Sequence, residues 1–381
     1  MLRQVDMSSS EVDGKALNLK VAHVIGRLTV GGAEKHFVSL LNEMDARDRI
    51  AVFTSPNVDG PTLEEQLDSS ITVVRAPVRK RTAVRDIFRL AEVFRKHGVE
   101  VVHTHMFWAS LYGVLAARIA RVPVIVTTEH GENKWKKRRH KLMERYVISR
   151  FTQRRFCVSE SILKIRRDID GIPPDLLVLT ANGTPVPDEP ARLRTSAGPL
   201  IGTVGRVVPQ KNYRAFVDTI FEVRSRGYEV SGCIVGDGPL LDDIHEHIAR
   251  RGLSDVVETP GMVQDVGSWY RRFDIYLISS DQEGQPVSLL EAMSYGLPIV
   301  STDVGAIAKT MRHGVDGLIA EAGSVSGLAD AVCRYLDDRS LAESCAASAR
   351  ERVIRDYSID AIARHYEDAY KELFDERSKA A

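Results

Sequence analysis

Two glutamates separated by seven residues, Glu283 and Glu291, give the clearest chemical signal in the chain. They lie in DIYLISSDQEGQPVSLLEAMSYGLPIVSTDVGA (274–306), where a buried strand runs into a Ser-Ser-Asp loop and a helix starts near Val287 and stops at Gly296. Glu283 falls on the loop and Glu291 about one turn inside the helix. A carboxylate presents two acceptor oxygens, so one acid suits a pair of vicinal ribose hydroxyls and the other meets a sugar. The amides of Val287, Ser288 and Leu289, at the positive end of the helix dipole, suit a phosphate. A second segment, GTVGRVVPQKN (202–212), sets Arg206 and Lys211 on a loop at the carboxyl end of a strand, ahead of a helix beginning near Tyr213. A guanidinium fork and a mobile ammonium together can hold a diphosphate and neutralise the charge that grows on it as it leaves. In KVAHVIGRLTVGGAEKHFVSLLNEM (20–44), Gly31 and Gly32 precede a helix whose Phe37, Leu40, Leu41 and Met44 recur at helical spacing. With no Cβ in the way, a phosphate can approach that helix end along the backbone. The segment fits neither GxGxxG nor GxxxxGK(S/T), which disfavours dinucleotide and P-loop sites.

Groups of this kind need a scaffold that gathers strand ends, and the rest of the chain supplies one. Short Val- and Ile-rich runs alternate with amphipathic stretches throughout, the pattern of parallel sheets with crossover helices on both faces. The expected strands of the first half are Lys20 to Ile25, Ile50 to Thr54, Thr72 to Arg75, Val101 to His103, Val124 to Thr127, Arg155 to Val158 and Leu177 to Leu179. Those of the second are Leu200 to Val204, Glu229 to Val235, Val256 to Thr259, Ile275 to Ile278, Pro298 to Ser301 and Gly317 to Ala320. Between them, GTPVPDEPARLRTSAGP (183–199) holds four prolines and two glycines and reads as a surface linker. The expected organisation is a flexible tail over residues 1–18, one doubly wound α/β domain over 19–190, a second over 191–356, and a final helix over 357–381. That helix, in YSIDAIARHYEDAYKELFDE (357–376), carries Ile359, Ile362, Ala363, Tyr366 and Tyr370 on one face. Ligands of open parallel sheets sit beyond the carboxyl ends of the strands, so two such domains are expected to pinch a substrate in a cleft.

Composition narrows the class further. The 381 residues are 44% hydrophobic and 27% charged, the profile of a globular protein of about two domains, with no run approaching the roughly 18 apolar residues of a membrane span. The N-terminus lacks a secretory pattern, so the chain is expected to stay in the cytoplasm. Cys157, Cys233, Cys333 and Cys345 form no CxxC pair and read as reduced, buried thiols rather than a disulfide or zinc framework. The balanced 52 and 52 charges hide an asymmetry: residues 1–190 hold 30 basic and 23 acidic side chains, and residues 191–381 hold 22 and 29. Ten bases (Lys134, Lys136, Lys137, Arg138, Arg139, Lys141, Arg145, Arg150, Arg154 and Arg155) face one acid, Glu144, within residues 134–155, a patch that favours an anionic partner. Nucleic acid is disfavoured, because no RNP, helix-turn-helix or zinc pattern accompanies the charge. Asp168 and Asp170 form a DxD, but they follow a basic helical stretch instead of a buried strand, and no metal is expected there.

The 274–306 segment resembles the E-x7-E signature of the retaining glycosyltransferases of family 4, which have the two-domain GT-B fold. Further blocks recur in the family's order: GGAE (31–34), VVHTHMF (101–107), VTTEHG (126–131), CVSES (157–161), Asn182 with Gly183, GRVVPQKN (205–212) and GDGPL (236–240). The resemblance implies an α/β GT-B chain that transfers a sugar from a nucleotide-diphosphate sugar to an acceptor hydroxyl with the anomeric configuration kept, without metal or other cofactor. It places Glu291 on the donor ribose, Glu283 on the transferred sugar, and Arg206 and Lys211 on the diphosphate, with Gly31 and Gly32 on its other side. Val263, in GMVQD (261–265), would meet the base, and Gly284, Gln285, Pro286, Val287, Ser288 and Leu289 would line the donor. His105, just past a strand end, would touch the sugar near the reacting carbon, whereas His103 is read as a structural hydrogen-bonder on the opposite face. The last helix would return to the first domain. Gln285 and Pro286 depart from the aromatic and small residues that most relatives carry, which leaves the sugar open; UDP is the first expectation for the nucleotide and GDP the second.

The acceptor is expected on the first domain, at His130, Trp135, Lys136 and Arg139. A lipid-linked diphosphate, with the protein resting on an acidic membrane surface, or a charged soluble acceptor fits that patch. Three rival activities share the resemblance: a nucleotide-sugar 2-epimerase, a phosphorylase with lysine-bound pyridoxal phosphate, and an inactive scaffold.

Overall fold

The computed structural model describes residues 18–29, 31–45, 48–56, 62–131, 135–191 and 198–380. All but Asn18 of the expected tail, and residues 192–197 of the linker, lie outside them. The chain divides into two compact units, Met1–Gly183 with Ile359–Ala381, and Thr184–Ser358. The break falls at Gly183, nearer the start of the proline-rich segment than residue 190.

The first unit is a seven-stranded parallel sheet. Its strands are β1 (Lys20–Ile25), β2 (Asp48–Phe53), β3 (Thr72–Arg75), β4 (Val101–His105), β5 (Val124–Glu129), β6 (Arg154–Cys157) and β7 (Leu177–Leu179), in the order β3-β2-β1-β4-β5-β6-β7. The order reverses between β1 and β4, the switch point at which such sheets open a binding crevice. β4 and β5 are buried at every position, because helices cover both faces of a parallel sheet. Both run two residues past the apolar stretch that announces them, carrying His105 and Glu129 into the sheet, with His105 opposite Thr128. The helix Ile359–Ala380 lays Ile359, Ile362, Ala363, Tyr366, Ala369, Tyr370 and Leu373 on a core that includes Val21, Leu40, Val101, Val124 and Phe156. Fully burying side chains of this size stabilises by about 2 kcal/mol each, so the last segment of the chain is integral to the first unit.

The second unit is a six-stranded parallel sheet of β8 (Leu200–Val204), β9 (Ser231–Val235), β10 (Val257–Gly261), β11 (Ile275–Ile278), β12 (Ile299–Thr302) and β13 (Leu318–Ala320), in the order β10-β9-β8-β11-β12-β13. Its switch point lies between β8 and β11. Each face has its own core, one centred on Phe216, Ile234 and Leu277, the other on Phe273, Tyr276 and Leu289. All four cysteines are buried and unbridged, and among the described residues no helix is long and apolar enough to cross a membrane.

Candidate functional site

Two loops at the carboxyl ends of β8 and β11 build the site of the second unit. The loop after β8 carries Arg206, which is exposed, and Lys211, at the end of a single 3-10 turn. It leans on the turn after β9: the Gly205 amide donates to Val235 O at 3.0 Å and the Val207 amide to Asp237 O at 2.9 Å. That approach demands glycine at 236, where φ is +144° and a Cβ would lie 2.0 Å from Gly205 O. Asn212 closes the loop in a left-handed conformation, φ +45°. Its side-chain oxygen accepts the Ala215 amide at 3.3 Å and caps the helix Tyr213–Ser225, while its NH2 donates to Asp281 at 2.9 Å. The Asp281 amide donates back to Gln210 O at 2.9 Å, and the Ser279 hydroxyl to Lys211 O at 3.2 Å. So fastened, the loops bring Lys211 Nζ to 2.6 Å from Glu283 Oε1, an oxygen that also accepts the Ser280 hydroxyl at 2.8 Å.

The helix Val287–Ser294 follows, with Pro286 at its N-cap. Val287 and Ser288 hold its first two amides, which have no acceptor inside a helix. Leu289 departs from expectation: its amide donates to Pro286 O at 3.1 Å and its side chain is buried, so it offers a ligand nothing polar. Gln285 also turns inward, its NH2 donating to Thr310 Oγ1 at 3.3 Å. Gly284 O accepts the Ala306 amide at 2.8 Å, and Gly305, at φ +63°, passes so close that a Cβ there would lie 2.0 Å from Glu283 O. One turn into the helix, Glu291 Oε2 accepts the hydroxyl of Tyr270 at 2.7 Å. Burial and the adjacent Glu291 carboxylate push the Tyr270 phenol well above its ordinary range, so it remains a donor. Val263 is half-buried against the nearby core, just past β10.

In the first unit, Gly31 is the N-cap of the helix Gly32–Glu43. Glu34 folds back over this end: Thr29 Oγ1 donates to Glu34 Oε1 at 3.1 Å, and a Cβ at Gly31 would lie 2.5 Å from Glu34 Oε2. Beside it lies a ladder of imidazoles. His23 Nδ1 and His105 Nε2 are 3.2 Å apart, and His105 Nδ1 and His130 Nε2 3.1 Å. His105 is fully buried with both nitrogens engaged, so it cannot itself touch a sugar in this arrangement, and His130, expected at the acceptor, is turned inward too, its Nε2 engaged by His105 and its Nδ1 buried. The backbone reason is that β4 continues through His105 before turning at Met106, whose φ is +67°. His103 is a structural hydrogen-bonder, 2.5 Å from Tyr370 Oη and 2.6 Å from Thr128 Oγ1. It lies on the same face as His105, with rings 4.2 Å apart, because alternate residues of a strand point the same way. Desolvation lowers the pKa of His23 to about 3, of His36 to about 4 and of His130 to about 3, and holds His103 and His105 well below the ordinary value. His23, His103 and His105 offer nitrogens within 4.8 Å of one another, the spacing of a metal trio, yet the bonds just named already engage His103 at both nitrogens.

The basic run divides between surface and interior. Lys136, expected to bind the acceptor, is buried: its ammonium pairs with Glu144 and lies 3.6 Å from Glu129, so it is unavailable. Arg155 is likewise buried, 2.6 Å from Glu129 and paired with Glu144, and Arg166 joins Glu129 to Asp170. Burial raises the Glu129 pKa, but Lys136, Arg166 and Arg155 outweigh it and hold the carboxyl far below the usual range. Asp168 pairs with Arg167 at 2.6 Å, so both carboxylates of the DxD serve ion pairs. Trp135 and Arg139 are exposed, as acceptor contact requires, while Lys134 lies outside the described residues. Tyr270, Asn212 and Gly305 are site-building residues that sequence reasoning missed. Asn212 had a signal, a capping residue just before a helix; Tyr270, 21 residues from Glu291, had none.

Two doubly wound α/β units, the second with acids and bases gathered at its switch point, have the architecture of the GT-B glycosyltransferases. The family model described as glycosyltransferase family 4 matches residues 30–186, and that of glycosyl transferases group 1 matches residues 198–338. The chain belongs to the family 4 glycosyltransferases. It is 30% identical over 181 residues, 46% of its own length and 52% of the relative's, to the lipopolysaccharide core biosynthesis mannosyltransferase LpsB of Rhizobium meliloti. It is 23% identical to an Escherichia coli UDP-Gal:alpha-D-GlcNAc-diphosphoundecaprenol alpha-1,3-galactosyltransferase over 93% of this chain and 97% of that one. The crystal structure of Anabaena Alr3699/HepE in complex with UDP and glucose shares the fold at a TM-score of 0.80 and 17% identity, covering 93% of this chain and all of that one.

Proposed function

We propose that this glycosyltransferase is retaining and uses a UDP-sugar, transferring its sugar to a hydroxyl of an anionic, lipid-linked glycan precursor. The observation that carries the reading is the Lys211–Glu283 pair beside the N-terminus of the helix that bears Glu291. Glu291, oriented by Tyr270, binds the ribose. Glu283 binds a hydroxyl of the transferred sugar, and the backbone at Val263 meets the base. Arg206, Lys211 and the Val287 and Ser288 amides stabilise the diphosphate as the anomeric carbon becomes oxocarbenium-like; losing one such donor typically costs about 3 to 4 kcal/mol. The leaving phosphate oxygen takes the acceptor's proton, so the chain needs neither a protein nucleophile nor a metal. In the first unit, Gly31 and Gly32 open the backbone to phosphate once the Glu34 carboxylate moves off that helix end, and Trp135 and Arg139 meet the acceptor. Two relatives support the choice of substrates: the E. coli galactosyltransferase is named for UDP-Gal and a diphosphoundecaprenol acceptor, and the Anabaena protein was crystallised with UDP and glucose.

The test joins binding to turnover. UDP, ahead of GDP, is expected to raise the melting temperature, since ligand bound only by the native state stabilises it. Glu283→Ala, Glu291→Ala and Arg206→Ala are each expected to abolish transfer and keep the fold. Glu283→Ala removes the acid that pairs with Lys211 and is expected to hold or tighten UDP, whereas Glu291→Ala is expected to weaken it. Full transfer in all three variants overturns the site, an inverted product by NMR overturns retention, loss of transfer in EDTA overturns the metal-free route, and epimerised sugar from donor alone favours a 2-epimerase.

A further inference from the structure

The loop that leaves β11 begins with Ser279, Ser280 and Asp281, and each has its own attachment. The Ser279 hydroxyl is shared between Lys211 O at 3.2 Å and Asn212 O at 3.1 Å, and Asp281 accepts the Asn212 NH2 at 2.9 Å. Those bonds tie loop to loop. Ser280 instead serves a side chain of the site. It is 2% exposed, its carbonyl accepts the Thr302 hydroxyl at 2.7 Å, and its own hydroxyl donates to Glu283 Oε1 at 2.8 Å. The same oxygen takes Lys211 Nζ at 2.6 Å. Two donors on one oxygen occupy both of its lone pairs, and neither of them uses Oε2.

The two donors differ in what holds them. Lys211 ends a flexible four-carbon stem, and its ammonium is a mobile point charge. The Ser280 hydroxyl stands on a short side chain whose backbone is pinned by β11 on one side and by Thr302 on the other. A diphosphate competes for the ammonium, because opposite charges attract, and leaves the neutral hydroxyl where it is. The Glu283 side chain is only 10% exposed, so water replaces little of what the departing cation gave it, and the carboxylate then depends on its remaining donor. We infer that Ser280 is a positioning residue of the donor site: its hydroxyl holds the Glu283 carboxylate in place when Lys211 crosses to the diphosphate. The inference rests on the reading of Glu283 and Lys211 proposed above. A sugar hydroxyl then meets an acid anchored through Oε1, with Oε2 free of both donors.

The full chain and its variants are titrated with UDP-glucose, UDP-galactose and uridine, and the tighter of the two nucleotide sugars is the reference. Ser280→Ala keeps the Thr302 bond, which ends on a carbonyl, so its melting temperature should stay near that of the parent chain. Its Kd for the nucleotide sugar is expected to rise about tenfold, as for the loss of a hydrogen bond to a charged group. Uridine, which brings no phosphate to draw Lys211 away, is expected to bind as it does to the parent. In a Glu283→Ala background the same substitution should change neither Kd, because the carboxylate it serves is gone. Parental affinity for the nucleotide sugar in Ser280→Ala, an equal loss for uridine, or an undiminished loss in the Glu283→Ala background would overturn the inference. Full transfer by Glu283→Ala overturns the Glu283 reading and this inference with it, whereas loss of transfer there, beside parental affinity in Ser280→Ala, overturns this inference alone.

Discussion

Tyr270 shows how much of a binding acid's behaviour rests on a residue that need not touch ligand. Its hydroxyl, 2.7 Å from Glu291 Oε2, fixes the plane of the carboxylate that we propose meets two ribose hydroxyls, and a wrongly turned carboxylate accepts one bond instead of two. A hydrogen bond to a charged group contributes about 1.5 to 3 kcal/mol. Tyr270→Phe is therefore expected to raise the KM for the nucleotide sugar about tenfold with kcat nearly unchanged, measured by steady-state kinetics; a fall in kcat alone would place Tyr270 elsewhere in the reaction. Arg206 and Lys211 differ in the same spirit. Lys211 is already neutralised by Glu283, so the exposed Arg206 is the stronger net cation for a diphosphate.

At the level of elements, the site depends on backbone contacts between loops. The Gly305 Cα lies against the Glu283 carbonyl, and Gly305→Ala adds both left-handed strain and a methyl 2.0 Å from that oxygen. The 283–284 backbone must shift, and misplacement of about 1 Å can cost 100-fold in rate. Loss of kcat/KM on that scale with an unchanged far-UV spectrum is expected; near-parental activity would show the loop to be tolerant. The ion network of the first unit is a second such device. Arg155→Met leaves three buried carboxylates, Glu129, Glu144 and Asp170, to two cations, Lys136 and Arg166, and the uncompensated buried charge is expected to cost about 3 to 5 kcal/mol in urea unfolding. Adding Glu144→Leu should recover part of the loss, since an apolar replacement of a buried pair is far cheaper than half of one.

For the whole molecule, acid is the expected weakness. The unfolded chain protonates its histidines near pH 6.5, whereas His23, His36 and His130 take protons in the folded state only at about 3 to 4. Folded pKa values below the unfolded ones mean that stability is full above pH 6.5 and is lost as pH falls toward 4, by about 1.4 kcal/mol per histidine one unit below 6.5. Glu367 works against this. It accepts the Asp45 amide at 2.6 Å, and burial raises it to about 7, so its protonation stabilises the folded chain as pH drops from 7 toward 4.5. Several histidines outweigh one glutamate, and the urea midpoint is expected to fall between pH 7.5 and pH 5.5, more steeply in Glu367→Gln. An unchanged midpoint would mean that the ladder carries charge in the folded protein.

Periodicity in the amino-acid order located all thirteen strands of the described residues and the alternation of sheet and helix, and residue type and spacing singled out the E-x7-E segment and the Arg206–Lys211 loop as candidates, because each is a local pattern of a few residues. Tertiary packing decided what those patterns could not encode. It buried Lys136 and Arg155 among acids drawn from other elements, turned His105 and His130 inward, and brought Tyr270 to Glu291 and Gly305 to Glu283. Burial and hydrogen-bond partnership arise between segments distant in the chain, so a side chain's charge can be read from its type, but its availability to a ligand only from what folds around it.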